Sequence, residues 1–257
     1  MPLPQLDIQG PIARITLQRP EVANKLAPED LLALRHHLRT VNEQSDVRVL
    51  VLQAQGRHFC SGYDIADMLN SQRPGQGFGD MVDALAACRP VTIAAIQGGV
   101  FGGATDMALA CDFRVGVPQA RMFMPAARLG LHFYQSGMQR FISRLGLNMA
   151  KRLFLTAEAL DSSAMHACGF LTHLVEEGQL ETAVNALADT LIRMAPLALL
   201  GMKDSLNQLA AASGDAKAAA DLAALIEQRV QRTIASQDLQ EAIDAWQQRR
   251  EPVFQGR

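Results

Sequence analysis

Four apolar stretches in the first half of the chain predict β-strands. Residues 12–18 (IARITLQ) alternate apolar and polar side chains with a period of two and are rich in β-branched residues, as in a half-buried strand. Residues 47–55 and 91–98 are almost continuously apolar, which is typical of strands covered on both faces of a parallel sheet. Residues 113–117 (FRVGV) predict one further strand.

Helical periodicity fills the intervals between these strands and dominates the second half of the chain. Pro28 suits the first turn of a helix, and apolar side chains then recur at three- and four-residue spacing. These apolar positions are Leu31, Leu34, Leu38 and Val41. Further helices are predicted near 64–69, through residues 81–89 (MVDALAACR), from about 103 and from 147 onward, whereas the glycine-rich residues 72–80 predict a loop. The pattern as a whole predicts an α/β core followed by a helical C-terminal portion.

The composition excludes several classes of protein. The 257 residues carry 24 lysines and arginines against 26 aspartates and glutamates, so neither nucleic acid nor an anionic membrane is expected as a partner. The four cysteines (60, 88, 111 and 168) show neither a CxxC pair nor a Cys/His metal spacing, so we expect reduced thiols and no metal site. We find no signal peptide and no apolar run near the roughly 20 residues of a membrane helix, so the expected location is the cytoplasm.

Residues 98–112 (GGVFGGATDMALACD) place four glycines directly before a predicted helix with an acid in its first turn. The spacing GGxxGG does not match a dinucleotide-binding turn, and no Lys-Ser/Thr pair makes a phosphate-binding loop. Two interpretations remain open. The glycines let two elements pack closely, or they expose the Gly103 N–H as a donor to a developing oxyanion. In the second case Asp106, on the same helical face, is a candidate acid–base group for the same bound molecule.

Residues 58–68 (HFCSGYDIADM) form a second glycine-containing loop before a predicted helix. The N–H of Tyr63 is placed to be a second oxyanion donor. Asp64, by contrast, is interpreted first as a cap of the helix that follows it.

Three motifs in order resemble those of the crotonase (enoyl-CoA hydratase/isomerase) superfamily. They are FCSGYDIADM, AAIQGGVFGGATDMALACDFRV and FMPAARLGLHFYQSGMQRFISRLG, and the resemblance runs essentially from end to end. It implies a repeated ββα spiral core, assigned to residues 1–195, and a helical C-terminal trimerisation region at 196–257. It also implies that Tyr63 and Gly103 supply the two N–H groups of a thioester oxyanion hole.

The resemblance further implies an acyl-CoA substrate, with coenzyme A as part of the substrate thioester and no separate cofactor. The expected assembly is a homotrimer or a hexamer of two trimers. Substrate contacts are implied around the three motifs and the turn after the first strand, at Val22, Ala23, Ser61, Asp64, Ile65, Gly99, Gly102, Pro125, Ala126, Leu129, Gly130, His132 and Phe133.

Two departures from the family pattern bear on the reaction. Hydratases of the family carry one glutamate on the helix after the glycine turn, where this chain has Asp106, and a second after the proline of the later motif, where it has Ala126. Alanine cannot transfer a proton, and the loss of one acid–base group typically costs on the order of 10²- to 10⁴-fold in rate. Efficient hydration with two carboxylates is therefore not expected.

A substitute for the missing carboxylate is suggested by GLHFYQSG. The Tyr134 position resembles the one where a dehalogenase branch and a dienoyl-CoA isomerase branch place a catalytic aspartate. Tyr134 or its neighbour His132 could thus act on the thioester's α- and β-carbons. Alternatively, Phe133 and Tyr134 only wall the acyl pocket, and His132 is a surface residue.

The leading hypothesis is an acyl-CoA-transforming enzyme of the enoyl-CoA hydratase/isomerase type. Its proposed catalytic residues are Asp106, Tyr63, Gly103 and Tyr134. Isomerisation and decarboxylation need fewer proton-transfer groups than hydration does. The other classes left open are a non-catalytic acyl-CoA-binding protein and a nicotinamide-dependent oxidoreductase.

Overall fold

The computed structural model describes residues 2–63, 76–211 and 216–257. Within these ranges the strands form two sheets. They are β1 (Gln5–Gln9), β2 (Ile12–Leu17), β3 (Val49–Ala54), β4 (Val91–Ile96), β5 (Gly99–Phe101), β6 (Phe113–Gly116), β7 (Arg121–Phe123), β8 (Leu160–Asp161) and β9 (His173–Leu174). The larger sheet has the order β1-β2-β3-β4-β6-β9, and the smaller has the order β5-β7-β8.

The larger sheet is parallel except at its β1 edge, where β1 pairs with β2 in antiparallel register. All six residues of β4 and the first four of β3 are buried, as their apolar sequences require of strands covered on both faces. The four strands predicted from the sequence are confirmed as β2, β3, β4 and β6.

Helices account for most of the remaining described residues. They are α1 (Pro28–Glu43), α2 (Gln76–Ala86), α3 (Gly103–Ala110), α4 (Gln135–Leu145), α5 (Leu147–Thr156), α6 (Ser162–Ala167), α7 (Leu180–Ile192), α8 (Pro196–Ala211), α9 (Ala216–Ile234) and α10 (Gln237–Gln248). Short 3₁₀ turns cover Pro20–Val22 and Ala126–Leu129. The helix predicted near 64–69 lies outside the described residues.

The loop predicted at 72–80 is wrong for its last five residues, because α2 already begins at Gln76. Phe78 is only 4% exposed and starts an apolar face that continues through Met81, Val82 and Leu85. Two glycines in the first turn hide this periodicity in the sequence. Burial of the apolar face outweighs the roughly 1 kcal/mol that each glycine costs a helix.

The chain separates into two compact units, residues 1–186 and 187–257. The first unit contains both sheets and one continuous apolar core, formed by the helices and strands between Ala13 and Leu171. In the second unit the C-terminal tail is held by α10. Asp238, which is 3% exposed, accepts hydrogen bonds from the N–H groups of Gln255 (2.7 Å) and Gly256 (2.8 Å).

No single helix among the described residues is long and apolar enough to cross a membrane. Helices α7 and α8 meet that requirement only when they are taken together across the break between them.

Candidate active site

Two extended segments, 59–63 and 99–103, run side by side and end at the N-terminus of α3. The N–H groups of Phe59 and Cys60 both donate to the carbonyl of Gly99 (3.0 and 3.2 Å), and the N–H of Phe101 donates to the carbonyl of Cys60 (3.0 Å). Cys60 and Val100 are thereby paired in parallel. Tyr63 and Gly103 each lie three residues beyond this pair along their own segments.

The contact between these segments is close enough to require a glycine at position 62. Gly62 has φ +92°, and a Cβ there would lie 2.9 Å from the carbonyl oxygen of Phe101 and 3.1 Å from the nitrogen of Gly103. Both neighbours are backbone atoms, so neither can give way easily. The motif glycine therefore brings the Tyr63 loop into contact with the start of α3.

Gly103 is the first residue of α3, and within the described ranges its N–H donates to no acceptor. The preceding residue, Gly102, has φ +56°, and its own N–H is bonded to the carbonyl of Phe123 (3.0 Å). A Cβ on Gly103 would meet the ring of Phe78 at 2.8 Å. Helix N-termini concentrate unpaired N–H donors and positive potential, so this position suits an anionic oxygen.

Asp106 lies one turn into α3 and is fully buried, with 0% exposure. Its Oδ1 accepts a hydrogen bond from Arg140 Nε (2.9 Å), and its Oδ2 accepts one from Arg140 Nη2 (3.1 Å). The hydroxyl of Tyr134 also donates to Oδ2. Both oxygens of the predicted acid–base group are therefore engaged by partners from α4 and from the residue that caps it.

Arg140 also contacts a second carboxylate, because its Nη2 donates to Asp83 Oδ1 on α2 (3.0 Å). Ser136 Oγ donates to the other oxygen of Asp83 (3.0 Å). Burial of Arg140 works to lower its pKa, but the hydrogen bonds and charges of Asp106 and Asp83 outweigh it, and the pKa rises above its ordinary value. The guanidinium thus stays charged between the two acids.

Tyr134 is half-buried between α2 and α4. Its ring stacks on Phe133 with centroids 4.4 Å apart, and the backbone of Gly79 packs against the ring, since a Cβ there would touch it at 3.4 Å. Burial, the negative charge of Asp106 and the hydrogen bond to that carboxylate all raise the pKa of Tyr134. The phenol is therefore neutral throughout the range in which enzymes work.

Ala126 is the residue at which the motif resemblance leads us to expect the second glutamate of family hydratases. It is 7% exposed and begins the 3₁₀ turn Ala126–Leu129, directly after Pro125. The ring of Pro125 lies 3.9 Å from a Cβ placed on Gly102, so this turn lies beside the start of α3. Gly130, with φ +68°, ends the turn, and Leu129 is 47% exposed.

The remaining predicted site residues fall into three groups. Val22 and Ala23 lie beside the 59–63 segment, since the N–H of Ser61 donates to the carbonyl of Ala23 (3.0 Å). His132 is exposed, and its Nδ1 contacts the carbonyl of the adjacent Phe133 (2.8 Å), so the structure does not bring it to Asp106. Asp64 and Ile65 lie outside the described residues.

Sequence reasoning missed Asp83, Ser136 and Arg140. A partial signal was present, because Ser136 and Arg140 are one helical turn apart and Asp83 interrupts the apolar run MVDALA. Nothing in the sequence, however, indicates that Arg140 binds Asp106, or that Asp83 and Ser136 extend the network from Arg140.

Other site chemistries find little support among the described residues. They contain no group of three or more His, Cys, Asp and Glu side chains placed to bind a metal ion. Cys60 lies in the 59–63 segment, but burial raises its pKa to about 12, so it is not a thiolate nucleophile at neutral pH.

Comparison with known proteins shows which family the sequence matches. A sequence model of the family described as enoyl-CoA hydratase/isomerase matches residues 7–257. The chain is 29% identical to the 2,3-dehydroadipyl-CoA hydratase of Escherichia coli (strain K12) over 260 positions, which cover 97% of each protein. It is 32% identical to an enoyl-CoA hydratase of Alternaria alternata over 212 residues, 80% of this chain and 70% of that protein.

The fold agrees with solved structures of the same kind. The crystal structure of an enoyl-CoA hydratase from Bacillus anthracis matches with a TM-score of 0.90, covering 99% of both chains at 23% identity. The crotonase-like α/β fold expected from the sequence motifs is confirmed by this match.

Proposed function

We propose that this chain, which belongs to the enoyl-CoA hydratase/isomerase family, converts an acyl-CoA through a thioester enolate. The observation that carries the proposal is the start of α3. The N–H of Gly103 has no acceptor among the described residues, and it lies one helical turn before a buried carboxylate bonded to a tyrosine hydroxyl. An oxyanion donor and a buried carboxylate thus lie one turn apart on one short helix, and the tyrosine that caps α4 completes the acid–base pair.

The oxyanion hole would consist of the Gly103 and Tyr63 N–H groups. Fixed N–H donors stabilise the enolate oxygen more than the thioester carbonyl, because negative charge develops there as the α-proton or a carboxyl group leaves. The turn at Val22 and Ala23, joined to the same loop through Ser61, would receive the CoA portion. Coenzyme A enters as part of the substrate, and no separate cofactor is proposed.

The proton transfer would be carried by Asp106 together with Tyr134. Migration of a double bond needs only one acid–base unit, which removes a proton at one carbon and returns it two carbons away. Hydration needs a second group to activate water, and Ala126 cannot supply it. The arrangement therefore favours isomerisation, or decarboxylation followed by protonation of the enolate, over efficient hydration.

The test is a panel of CoA thioesters that contains 2-enoyl, 3-enoyl and malonyl-type acyl groups. We expect turnover of a 3-enoyl or malonyl-type substrate, and loss of that turnover in Asp106→Asn. Unchanged turnover in Asp106→Asn removes this carboxylate from the mechanism. Hydration of crotonyl-CoA at rates normal for the family would refute the argument from Ala126.

A second candidate is a CoA thioester-binding protein without turnover. It is favoured by one observation, the engagement of both Asp106 oxygens by Arg140. Micromolar binding of several CoA thioesters in calorimetry, with no conversion of any panel member, would select this candidate.

The assembly proposed is a homotrimer, or a hexamer of two trimers, that works in the cytoplasm. The second unit supports self-association because it exposes large apolar side chains, including Trp246 at 81% and Val253 at 68%. Light scattering on the purified protein would give the number of protomers directly.

A further inference from the structure

Asp106 has no surface that a substrate could touch. Its exposure is 0%, and the described residues provide it with only two polar partners, the Arg140 guanidinium and the Tyr134 hydroxyl. A group without accessible surface can exchange a proton with a bound molecule only after it moves, or through a neighbour that can itself give and take a proton.

Arg140 cannot be that neighbour. Its guanidinium holds its protons at every pH at which the protein works, and its Nε and Nη2 already donate to Asp106 and Asp83. Tyr134 can be the neighbour, because a hydroxyl donates one proton and accepts at the same oxygen. Its side chain is half-buried, and its hydroxyl donates to Oδ2 of Asp106, so among the described residues it is the polar partner of this carboxylate that can both give and take a proton.

Arg140 instead fixes the geometry of the pair. Two N–H groups of one planar guanidinium bind the two oxygens of Asp106, which sets the plane of the carboxylate. The terminal torsion of an aspartate is otherwise broad, so an unrestrained Oδ2 would not keep its position against the tyrosine hydroxyl. Asp83 holds the same guanidinium from the other side, and Ser136 holds Asp83.

We propose that Tyr134 is the catalytic residue that touches the acyl group, and that Asp106 acts on the substrate only through it. Arg140 and Asp83 are the positioning residues that keep this relay aligned. The inference rests on the proposed function, because it presumes that the site forms a thioester enolate.

In the relay, one proton leaves the substrate and one proton arrives at Asp106, by two coupled transfers through Tyr134. The C–H bond of the substrate breaks and its electron pair enters the enolate, while a new O–H bond forms at Tyr134 Oη. The proton already on Oη passes to Oδ2 of Asp106. In the second half of the reaction, Tyr134 Oη gives its proton to the final carbon of the enolate and Oδ2 of Asp106 returns its proton to Oη, which restores the starting state with no other reactant.

The first experiment separates relay from direct contact by steady-state kinetics on the best substrate of the panel. Tyr134→Phe keeps the ring stacked on Phe133 and removes only the hydroxyl. We expect kcat to fall at least 100-fold with KM within about threefold. We also expect the double variant Tyr134→Phe/Asp106→Asn to be no slower than the slower single variant, as for residues that act as one unit. Turnover that survives Tyr134→Phe with a loss of less than about threefold would overturn the relay and leave the proposed function standing.

The second experiment tests the positioning residues. Arg140→Lys keeps the charge but loses the planar fork, so we expect kcat to fall about tenfold with little change in KM. In the Tyr134→Phe background the same substitution should have no further effect on kcat, because the hydroxyl that it positions is gone. If Arg140→Lys lowers kcat by the same factor in the wild-type and Tyr134→Phe backgrounds, Arg140 has a merely structural role.

Asp83→Asn extends the test without disturbing the apolar core, because the Asp83 side chain is 46% exposed. We expect a loss of kcat of about threefold to tenfold that again disappears in the Tyr134→Phe background. The matched control is Asp80→Asn, an exposed aspartate on the same helix and the same change of charge. Equal kcat values for Asp83→Asn and Asp80→Asn would overturn the role given to Asp83. Absence of turnover in the wild-type protein on every thioester would instead count against the proposed function itself.

Discussion

Substitution of Gly62 by alanine tests whether the Gly103 N–H is an oxyanion donor. The new Cβ would lie 2.9 Å from the Phe101 carbonyl oxygen and 3.1 Å from the Gly103 nitrogen, whereas ordinary contact begins at 3.4 Å. The two backbone atoms must therefore retreat by about 0.5 and 0.3 Å, the differences from 3.4 Å. A misplacement of about 1 Å at a reacting centre can lower the rate roughly 100-fold. Because the shifts expected here are smaller than that, we expect kcat to fall about tenfold. Complete loss of one donor, about 10²- to 10³-fold, is the upper bound.

The control for this substitution is Gly10→Ala. Gly10 also has a positive φ, +57° against +92° at Gly62, but a Cβ there would meet nothing within 4 Å. Both variants should lose about 1–2 kcal/mol in urea unfolding from the left-handed backbone, and Gly62→Ala should lose more than Gly10→Ala because of its backbone contacts. Only Gly62→Ala should also lose kcat. If Gly62→Ala is the less stable variant but turns over at the wild-type rate, the Gly103 N–H is not the donor.

Three further predictions use other parts of the site. Ala126→Glu restores a carboxylate beside the start of α3, and we expect it to raise crotonyl-CoA hydration at least tenfold over both the wild type and the uncharged control Ala126→Gln; equal rates in all three proteins would contradict the missing-group argument. At pH 8 one thiol of four should react rapidly with a disulfide reagent, because Cys168 is half-buried while the other three are buried and burial raises the pKa of Cys60 to about 12; a rapid phase that persists in Cys168→Ser would be inconsistent with this. In an alkaline absorbance titration, Asp106→Asn should lower the pKa of Tyr134 relative to the wild type, because the variant removes a negative charge that opposes phenolate formation; a shift upward would mean that the pair seen here does not exist in solution.

The strands and the start of α3 were predictable because each follows from local pattern alone. Apolar runs of five or more residues gave β3 and β4, and the glycine turn placed the helix start near 103, where it is found. The prediction failed where burial overrides local signals. Helix α2 begins at Gln76 despite its glycines, and α4 was missed because polar residues occupy much of its first two turns.

The polar network around Asp106 lies beyond any local pattern. Arg140 is 34 residues from Asp106 and 57 from Asp83, and Tyr134 is 28 from Asp106. Each contact depends on how α2, α3 and α4 pack, and packing is set by apolar residues elsewhere on those helices. The sequence could therefore nominate Asp106 and Tyr134 separately, but it could not predict that they are bonded to each other.

The departures from the family motifs make most sense as one coupled change. An aspartate is one methylene shorter than the glutamate that the motif resemblance leads us to expect here in hydratases, so its carboxylate stays closer to the axis of α3. Here that carboxylate is fully buried, and the Tyr134 hydroxyl donates a hydrogen bond to its Oδ2. A tyrosine side chain is longer than the methylene that was lost, so the proposed relay through its hydroxyl extends the reach of the Asp106 carboxylate. We infer that the Asp106–Tyr134 pair takes the place of the first of the two glutamates expected in hydratases, while the second, expected at Ala126, has no replacement among the described residues. A site with one extended acid–base unit and one oxyanion hole is suited to moving a proton along an enolate, and lacks the group that would add water to it.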